Sequence, residues 1–443
     1  MRSGNGFLCW YTAIVIAVGL AARIVLGVLF TYPDDVQSWA LTIANIEAGG
    51  GLYDLGGYNY APIWGYLLAV IDLIGEPFGV SDLGQRLVET LVVENGETVA
   101  TTIVPSVALA MMVKAALFVC DLAVSYLVWR IVMDRTDDRN KANLAFALSF
   151  LCTFVITASS CQGMFDTIGT LFTVLAVMLF MRDRCFLGGM CFACAVLLKM
   201  FPGFLVFVLI AYILVKHRYD GTGVRRVLEA AAGALILAAI VFVPQVFEGT
   251  LDESLSFLTS RASDMGGAFG DILSIATMVL YAVILVASVY LGHRMYMSHM
   301  DDLDGHLLSL VMLCIAVVFL FPANAQYLVL LAPFLVIQYV TEDARYKLPL
   351  TLLMIGVPVF AMSSGAVNLM SLGGFTDIIG IDTVVSMVEW FDTELFWIVT
   401  PMVILKAFWV LEYAGIIAAI WIRREISHER NEAWHAKTSA TDL

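Results

Sequence analysis

Charge is scarce in this chain and positive charge is scarcest: 24 Lys and Arg stand against 38 Asp and Glu in 443 residues, and charged residues make up only 14%. No basic stripe exists to neutralise phosphates, which excludes nucleic-acid binding. The alternation of apolar and polar residues that marks barrel strands is missing too. Apolar residues form long unbroken runs instead, and in lipid such runs must be helices that satisfy their own backbone groups. No cleavable leader is expected, because the first apolar run, 7–30, is longer than a signal core and lacks a small-residue cleavage site. There is no internal repeat and no matched pair of broken helices, which weighs against a secondary transporter. The lack of a filter-like loop weighs against a channel.

What the chain has is apolar surface in excess. Hydrophobic residues are 60% of it and the mean hydropathy is +0.88, more than a water-soluble core hides. The fold class is therefore all-α integral membrane. Lys and Arg gather at 130–141, 182–184, 216–226, 293–294, 345–347 and 423–430, and such excess marks cytoplasmic loops. Placing these groups inside predicts about twelve transmembrane helices, near 7–30, 104–133, 142–160, 166–181, 186–199, 200–215, 228–246, 271–292, 306–321, 326–340, 348–362 and 396–421. The result is one polytopic domain, 1–443, multi-pass in the cell membrane, with a short cytoplasmic tail at 422–443.

In this arrangement 31–103 is a large first extracytoplasmic loop, and its stretch 60–80 reads as a helix in the outer interface, which Trp64, Tyr66, Asp72 and Glu76 suit. The net charge of -14 resides in loops such as 134–138, 301–304 and 342–343, the pattern of a halophilic surface. Most of the eight cysteines lie in apolar runs; the spacing of Cys191 and Cys194 falls mid-helix and reads as packing. Arg23, Lys114, Asp121, Lys406 and Glu412 are charges within the apolar runs and read as structural.

Four polar clusters share the outer face. Asp34 and Asp35 follow Pro33 at the mouth of the first span; such a carboxylate can take a proton from an attacking hydroxyl, or simply be a solvated loop end. Gln162, Gly163 and Asp166 form a turn at 161–165 that offers hydrogen bonds to a polyol, with Asp166 also suited to cap the next helix. Lys199 precedes Pro202, the expected turn point of a hairpin, and is either a fixed cation for a lipid phosphate or a snorkelling side chain. Asn324, Gln326 and Tyr327 lie at a further outer turn, where Tyr327 also suits an aromatic belt.

The order of these blocks resembles the GT-C superfamily, polytopic glycosyltransferases that use polyprenyl-phosphate-linked sugars. The resemblance is carried by Asp35 and Trp39, the glycines at 49–51, Tyr53, YNYAPIWGYLL at 58–68 with Tyr60, the helix MMVKAALFVCDLAVSYLVWRIV, and CQGMFDTIGTLF, LLKMFPGF and NAQYLVLLAPFL. It covers roughly 8–340 and is strongest to the mannosyltransferase branch that adds the first mannose in GPI-anchor synthesis. Three features depart from the pattern. The acids Asp34 and Asp35 are adjacent rather than spaced, 81–103 is an insertion, and the C-terminus carries no large soluble domain, unlike the oligosaccharyltransferase branch.

The resemblance implies an inverting transfer of a hexose, mannose first among them, from a polyprenyl- or dolichyl-phosphate donor. The acceptor is a lipid-linked glycan, a lipid or a protein, and the active site faces outside among membrane lipids. Asp35 is the expected general base with Asp34 as alternate or partner, Lys199 binds the departing phosphate, and Gln162, Asp166, Gln326, Tyr327 and Tyr60 hold sugar and acceptor. No cofactor is required for such a step, and a divalent ion such as Mg or Mn is compatible with it. A polytopic lipid or solute transporter is the competing expectation.

Overall fold

The apolar runs fold as helices, as their length and lack of alternation predict. The computed structural model describes residues 7–54, 58, 60–78, 86–88, 93–94, 97–98, 102–104, 106–256, 268–298, 302–320, 324–363 and 401–441, with isolated positions between 378 and 386. Helix α1 (Trp10–Leu29) leads into α2 (Pro33–Glu47) and α3 (Pro62–Gly75). Next come α4 (Val107–Thr136), α5 (Arg139–Phe150) and a short α6 (Thr153–Ile156) that runs on as a π-helical turn, Thr157–Gln162. Helices α7 (Asp166–Met181), α8 (Cys185–Leu198), α9 (Val206–Lys216), α10 (Gly223–Glu248) and α11 (Leu251–Ser256) follow. The chain continues through α12 (Ala268–Tyr296), α13 (Leu303–Val318), α14 (Ala332–Thr341), α15 (Lys347–Ser363) and α16 (Pro401–Thr441). Between α3 and α4, Arg86–Val88 pairs antiparallel with Thr102–Val104, and Val93–Glu94 with Glu97–Thr98.

A helix stands at every predicted span. Among the described residues five stretches are long and apolar enough to cross a membrane: Trp10–Leu29, Val107–Thr136, Gly223–Glu248, Met278–Tyr296 and Ala344–Ala361; the pair Arg139–Phe150 and Thr153–Gln162 makes a sixth if its 40° bend is one broken span. The other apolar helices have 10–17 residues. At 14 residues, α3 is only about 21 Å long, short of a hydrocarbon layer of about 30 Å. The predicted tail is not a loose end: α16 carries on through 422 to Thr441.

The bundle hides small residues inside and leaves large apolar ones outside. Gly189 on α8 and Gly233 on α10 let those helices touch: a Cβ at Gly189 would strike the Ala230 carbonyl, and one at Gly233 the Phe186 carbonyl. Close backbone approach is how helices associate in lipid, where apolar burial gives no drive. On the far side of α10, Leu228, Leu235, Ile240 and Phe247 are exposed, and on α12 Val279, Val283 and Val286. Apolar area of this kind needs a hydrocarbon cover.

Two buried polar ties fix α1 against α4. Arg23 Nε donates to Asp121 Oδ2 at 2.8 Å, both side chains 0% exposed. Asp121 also accepts from Ser159 Oγ at 2.7 Å and from Thr167 Oγ1, while Arg23 Nη1 donates to the Phe150 carbonyl at 2.9 Å. Five helical segments thus meet on one ion pair. One level outward, Lys114 Nζ donates to the carbonyls of Gly27 (2.8 Å) and Phe30 (2.5 Å) and to Thr31 Oγ1 (2.9 Å). A cation here satisfies the orphan carbonyls at the end of α1. Glu412 is buried on α16, and the Lys406 side chain lies outside the described residues.

Candidate functional site

The bundle has two chemically different ends. At one, ion pairs join the loops: Arg182 with Asp134 (2.6 Å), Lys216 with Asp183 (3.0 Å), and Arg135 with Asp302 (2.7 Å) and Glu342 (3.3 Å). Arg430 reaches Glu342 at 2.5 Å and Arg345 reaches Glu429 at 2.8 Å. These are the basic groups that the charge distribution placed on one side, and here they do share one end. Hydrogen bonds from Arg345 hold the Asp343 and Glu429 carboxyls below their usual range, and Arg135 does the same to Asp302.

Helix directions put Asp35, Tyr60, Asp166, Lys199 and Tyr327 at the opposite end. The first loop builds part of this end as helix, not coil. Pro33 suits the first turn of α2, and Val36, Trp39, Ala40 and Ile43 recur at helical spacing and are buried. Asp35 is therefore in the first turn of α2, where the helix dipole favours a carboxylate, and is half-buried. The side chain of Asp34 lies outside the described residues.

The Tyr58 to Pro62 segment is held by hydroxyls. Tyr53 OH donates to the Tyr60 carbonyl at 2.9 Å, Tyr58 OH to the Ala61 carbonyl at 2.9 Å, and Tyr58 OH accepts from Gly65 N–H at 2.6 Å. Burial pushes both phenols up, which keeps them protonated donors. Fixed in this way, the Tyr60 side chain points two ways: its OH donates to Asp35 Oδ1 at 3.5 Å, and its ring centroid lies 5.3 Å from Lys199 Nζ.

Lys199 is the centre of the site. It ends α8 in an extended conformation, so the break falls at Lys199 itself and Pro202 instead starts the following 3-10 turn, Phe201–Leu205. Its ammonium pairs with Asp166 Oδ1 at 3.5 Å, with both side chains nearly buried, at 8% and 6% exposure. The rings of Phe165 (4.5 Å) and Tyr327 (4.9 Å) complete an aromatic cage with Tyr60. Such faces attract a cation through the ring quadrupole. Behind the cage, Trp64 stacks on Phe165 at 4.5 Å and Trp39 meets Trp64 edge-on at 5.2 Å.

Polar atoms are left over at this place. Asp166 Oδ2, Trp39 Nε1 and Trp64 Nε1 are buried without a hydrogen-bond partner among the described residues. Most buried polar groups are paired, so a cluster of orphans marks where water or a ligand belongs. Asp166, Thr170, Lys199, Pro202 and Tyr327 line a narrow cleft with about 10 Å³ of free volume, the room of roughly one water.

The turn at 161–165 differs from expectation in being buried rather than on an aqueous face. Gly163 closes the π-helical turn at φ +76°, and a Cβ there would press on Lys114 Cε at 3.3 Å and Val36 Cγ2 at 3.4 Å, so α2 and Lys114 lie over it. Asp166 is the first residue of α7 and not its cap; Phe165 holds the cap position without a side-chain bond. Gln162 stays buried and turns away, donating to the Ala361 carbonyl at 3.4 Å. Gln326 is half-buried beside Tyr327 but is not among the side chains lining the cleft.

Asp35, Tyr60, Asp166, Lys199 and Tyr327 thus come together, while Gln162 and Gln326 do not join them. Phe165, Trp39 and Trp64 are further members of the site; the signal for Phe165 is its place beside Asp166, a buried acid in an apolar run. Among the described residues no three His, Cys, Asp or Glu side chains are grouped as metal ligands. Compared with known proteins, the chain matches no family model and no curated protein, so the reading of this site rests on its own side chains.

Proposed function

We propose that this chain is a membrane glycosyltransferase that moves a hexose, mannose first among the choices, from a polyprenyl- or dolichyl-phosphate to a lipid-linked glycan, lipid or protein acceptor. The observation that carries this reading is the Asp35, Tyr60 and Lys199 relay: a carboxylate and a caged cation held on opposite sides of one tyrosine. A glycosyl phosphate needs both, a base for the incoming hydroxyl and a positive charge for the outgoing phosphate.

In the inverting step, Asp35 takes the proton of the acceptor hydroxyl as its oxygen bonds to the anomeric carbon. The bond from that carbon to the phosphate oxygen breaks on the other face, and the electron pair leaves with the phosphate. Lys199 offsets the charge that develops there, an effect that a preorganised donor in a dry site makes large. Its pairing with Asp166 is loose at 3.5 Å, so a phosphate oxygen can share the ammonium without displacing the acid. Asp166 Oδ2, free of protein partners among the described residues, and the Tyr60 and Tyr327 rings are placed to orient the sugar. A hexose exceeds the room of one water, so the Tyr60 and Tyr327 side chains must swing outward to admit it.

The separation of the two ends supports a polytopic bundle with the site on the extracytoplasmic side, since the basic loops collect at the other end. The twelve helical segments then serve as the transmembrane helices, and α3 lies in the outer interface. The test is to incubate the purified protein with radiolabelled polyprenyl-phosphate mannose and, separately, glucose in membranes that contain acceptor lipids. Label moving into extractable lipid or protein supports the reading, and its retention on both donors contradicts it.

A further inference from the structure

A second cleft lies at the basic end, remote from Lys199, between α12, α13 and α16. Its free volume is about 390 Å³, and Arg294, His306, Arg423, Arg424 and His428 line it without a single carboxylate. Elsewhere at this end four arginines are matched with acids: Arg135, Arg182, Arg345 and Arg430 have partners within ion-pair distance, while Arg218 donates to the Tyr296 carbonyl. Arg423 and Arg294 have none among the described residues. Arg423 is 6% exposed, reaches only His306 Nδ1 at 3.4 Å, and leaves its Nε without a hydrogen bond. Holding a guanidinium in this state is costly unless an anion joins it.

The depth profile of the cleft says what kind of anion. Helix α16 runs outward from Ile420 past Arg423 to His428, and α13 runs inward from His306 to Leu310 and Leu313. The mouth is therefore cationic and the throat, closed by Leu291, Leu310, Leu313 and Ile420, is apolar. Tyr290 and Trp421, both exposed, flank it, as aromatic side chains do at headgroup level. A small soluble anion has no use for the apolar throat, whereas a phospholipid fills both parts. Guanidinium forks match phosphate oxygens, and basic pockets between helices at this depth suit anionic headgroups.

We propose that this cleft is a binding site for an anionic phospholipid, with its phosphate on Arg423 and Arg294 and an acyl chain along Leu310 and Leu313. The inference is independent of the transferase reading. It is tested on the full chain in neutral detergent by native mass spectrometry and thermal melting, with phosphatidylglycerol, phosphatidylcholine or inorganic phosphate added. Phosphatidylglycerol should stay bound and raise the melting temperature, while the other two should do neither at equal concentration. Arg423→Gln should abolish the effect. Because that variant removes a buried side chain, the exposed pair Arg294→Gln/Arg424→Gln is the decisive one and should weaken binding roughly tenfold or more. The charge-matched control Arg184→Gln/Arg225→Gln should bind as the parent does. Equal binding of phosphatidylcholine, equal effect of inorganic phosphate, unchanged binding in the Arg294/Arg424 pair, or an equal loss in the control would each overturn the proposal.

Discussion

Two buried pairs of an aspartate and a cation sit in this bundle, and they are built to opposite rules. Arg23 and Asp121 meet at 2.8 Å, and the acid also takes hydrogen bonds from Ser159 and Thr167. Lys199 and Asp166 stand 3.5 Å apart, one acid oxygen has no partner among the described residues, and three aromatic rings surround the ammonium. In the first pair the Asp121 carboxylate is fully engaged where helices must be held together, although Arg23 Nη2 is buried without a partner among the described residues. The second is a longer contact that opens on a cleft lined by Thr170, Pro202 and Tyr327. Engagement of the carboxylate and access to a cleft, more than burial or charge, separate the two pairs.

The sharpest way to break the comparison is to cut the closer pair. Asp121→Ala leaves Arg23 buried and unpaired, and removing one partner of such a pair costs about 3–5 kcal/mol. The variant should lose expression and melt far lower, a result read by thermal unfolding in detergent; a melting temperature equal to the parent's would refute the structural role. Asp35→Asn should do the reverse. Its fold and melting temperature should persist while sugar transfer falls on the order of 10²-fold or more, since the amide cannot take the acceptor's proton. Near-normal transfer would remove Asp35 from the reaction, and loss in Asp34→Asn instead would move the base by one residue.

A smaller effect is expected at Tyr53, whose hydroxyl holds the Tyr60 backbone at 2.9 Å. Tyr53→Phe should cost about 1 kcal/mol of local order, seen as a few-fold loss of transfer with little change in melting. A loss as large as that of Asp35→Asn would mean that Tyr53 touches substrate. The smallest effect concerns acid. Asp302 and Asp343 are held below their ordinary value of 3.8 by Arg135 and Arg345. Their folded values being the lower ones, the stability they add is complete above 3.8 and is lost as pH falls through those folded values. The loss of melting temperature below about 3.8 should therefore shrink in Asp302→Asn/Asp343→Asn, and an unchanged acid limb would remove these two pairs from it.

The helices were readable because membrane crossing demands long apolar runs, and the gathering of basic loops at one end because Arg and Lys mark loop ends. Asp35, Lys199, Asp166, Tyr60 and Tyr327 were readable as polar or aromatic groups interrupting such runs. What joins them was not. Tyr60 bridges Asp35 and Lys199 through a fold of the first loop that spacing alone does not reveal, although Val36, Trp39, Ala40 and Ile43 do carry the helical period of α2. Phe165 passes for packing because a phenylalanine in an apolar run has no distinguishing neighbour except Asp166. Gln162 misleads for a related reason: the π-helical turn shifts its phase, so a polar side chain near the site turns toward Ala361.

The measurement that bears most directly on the central claim is transfer rate against donor concentration for Lys199→Met and Lys199→Arg in nanodiscs. Lys199→Met should insert and melt close to the parent, yet bind the polyprenyl-phosphate sugar weakly and turn over slower by on the order of 10²-fold. Lys199→Arg should keep part of the activity, because the charge remains while its shape changes. Parental kinetics in Lys199→Met would contradict the account, since the caged cation would then have no part in holding the phosphate.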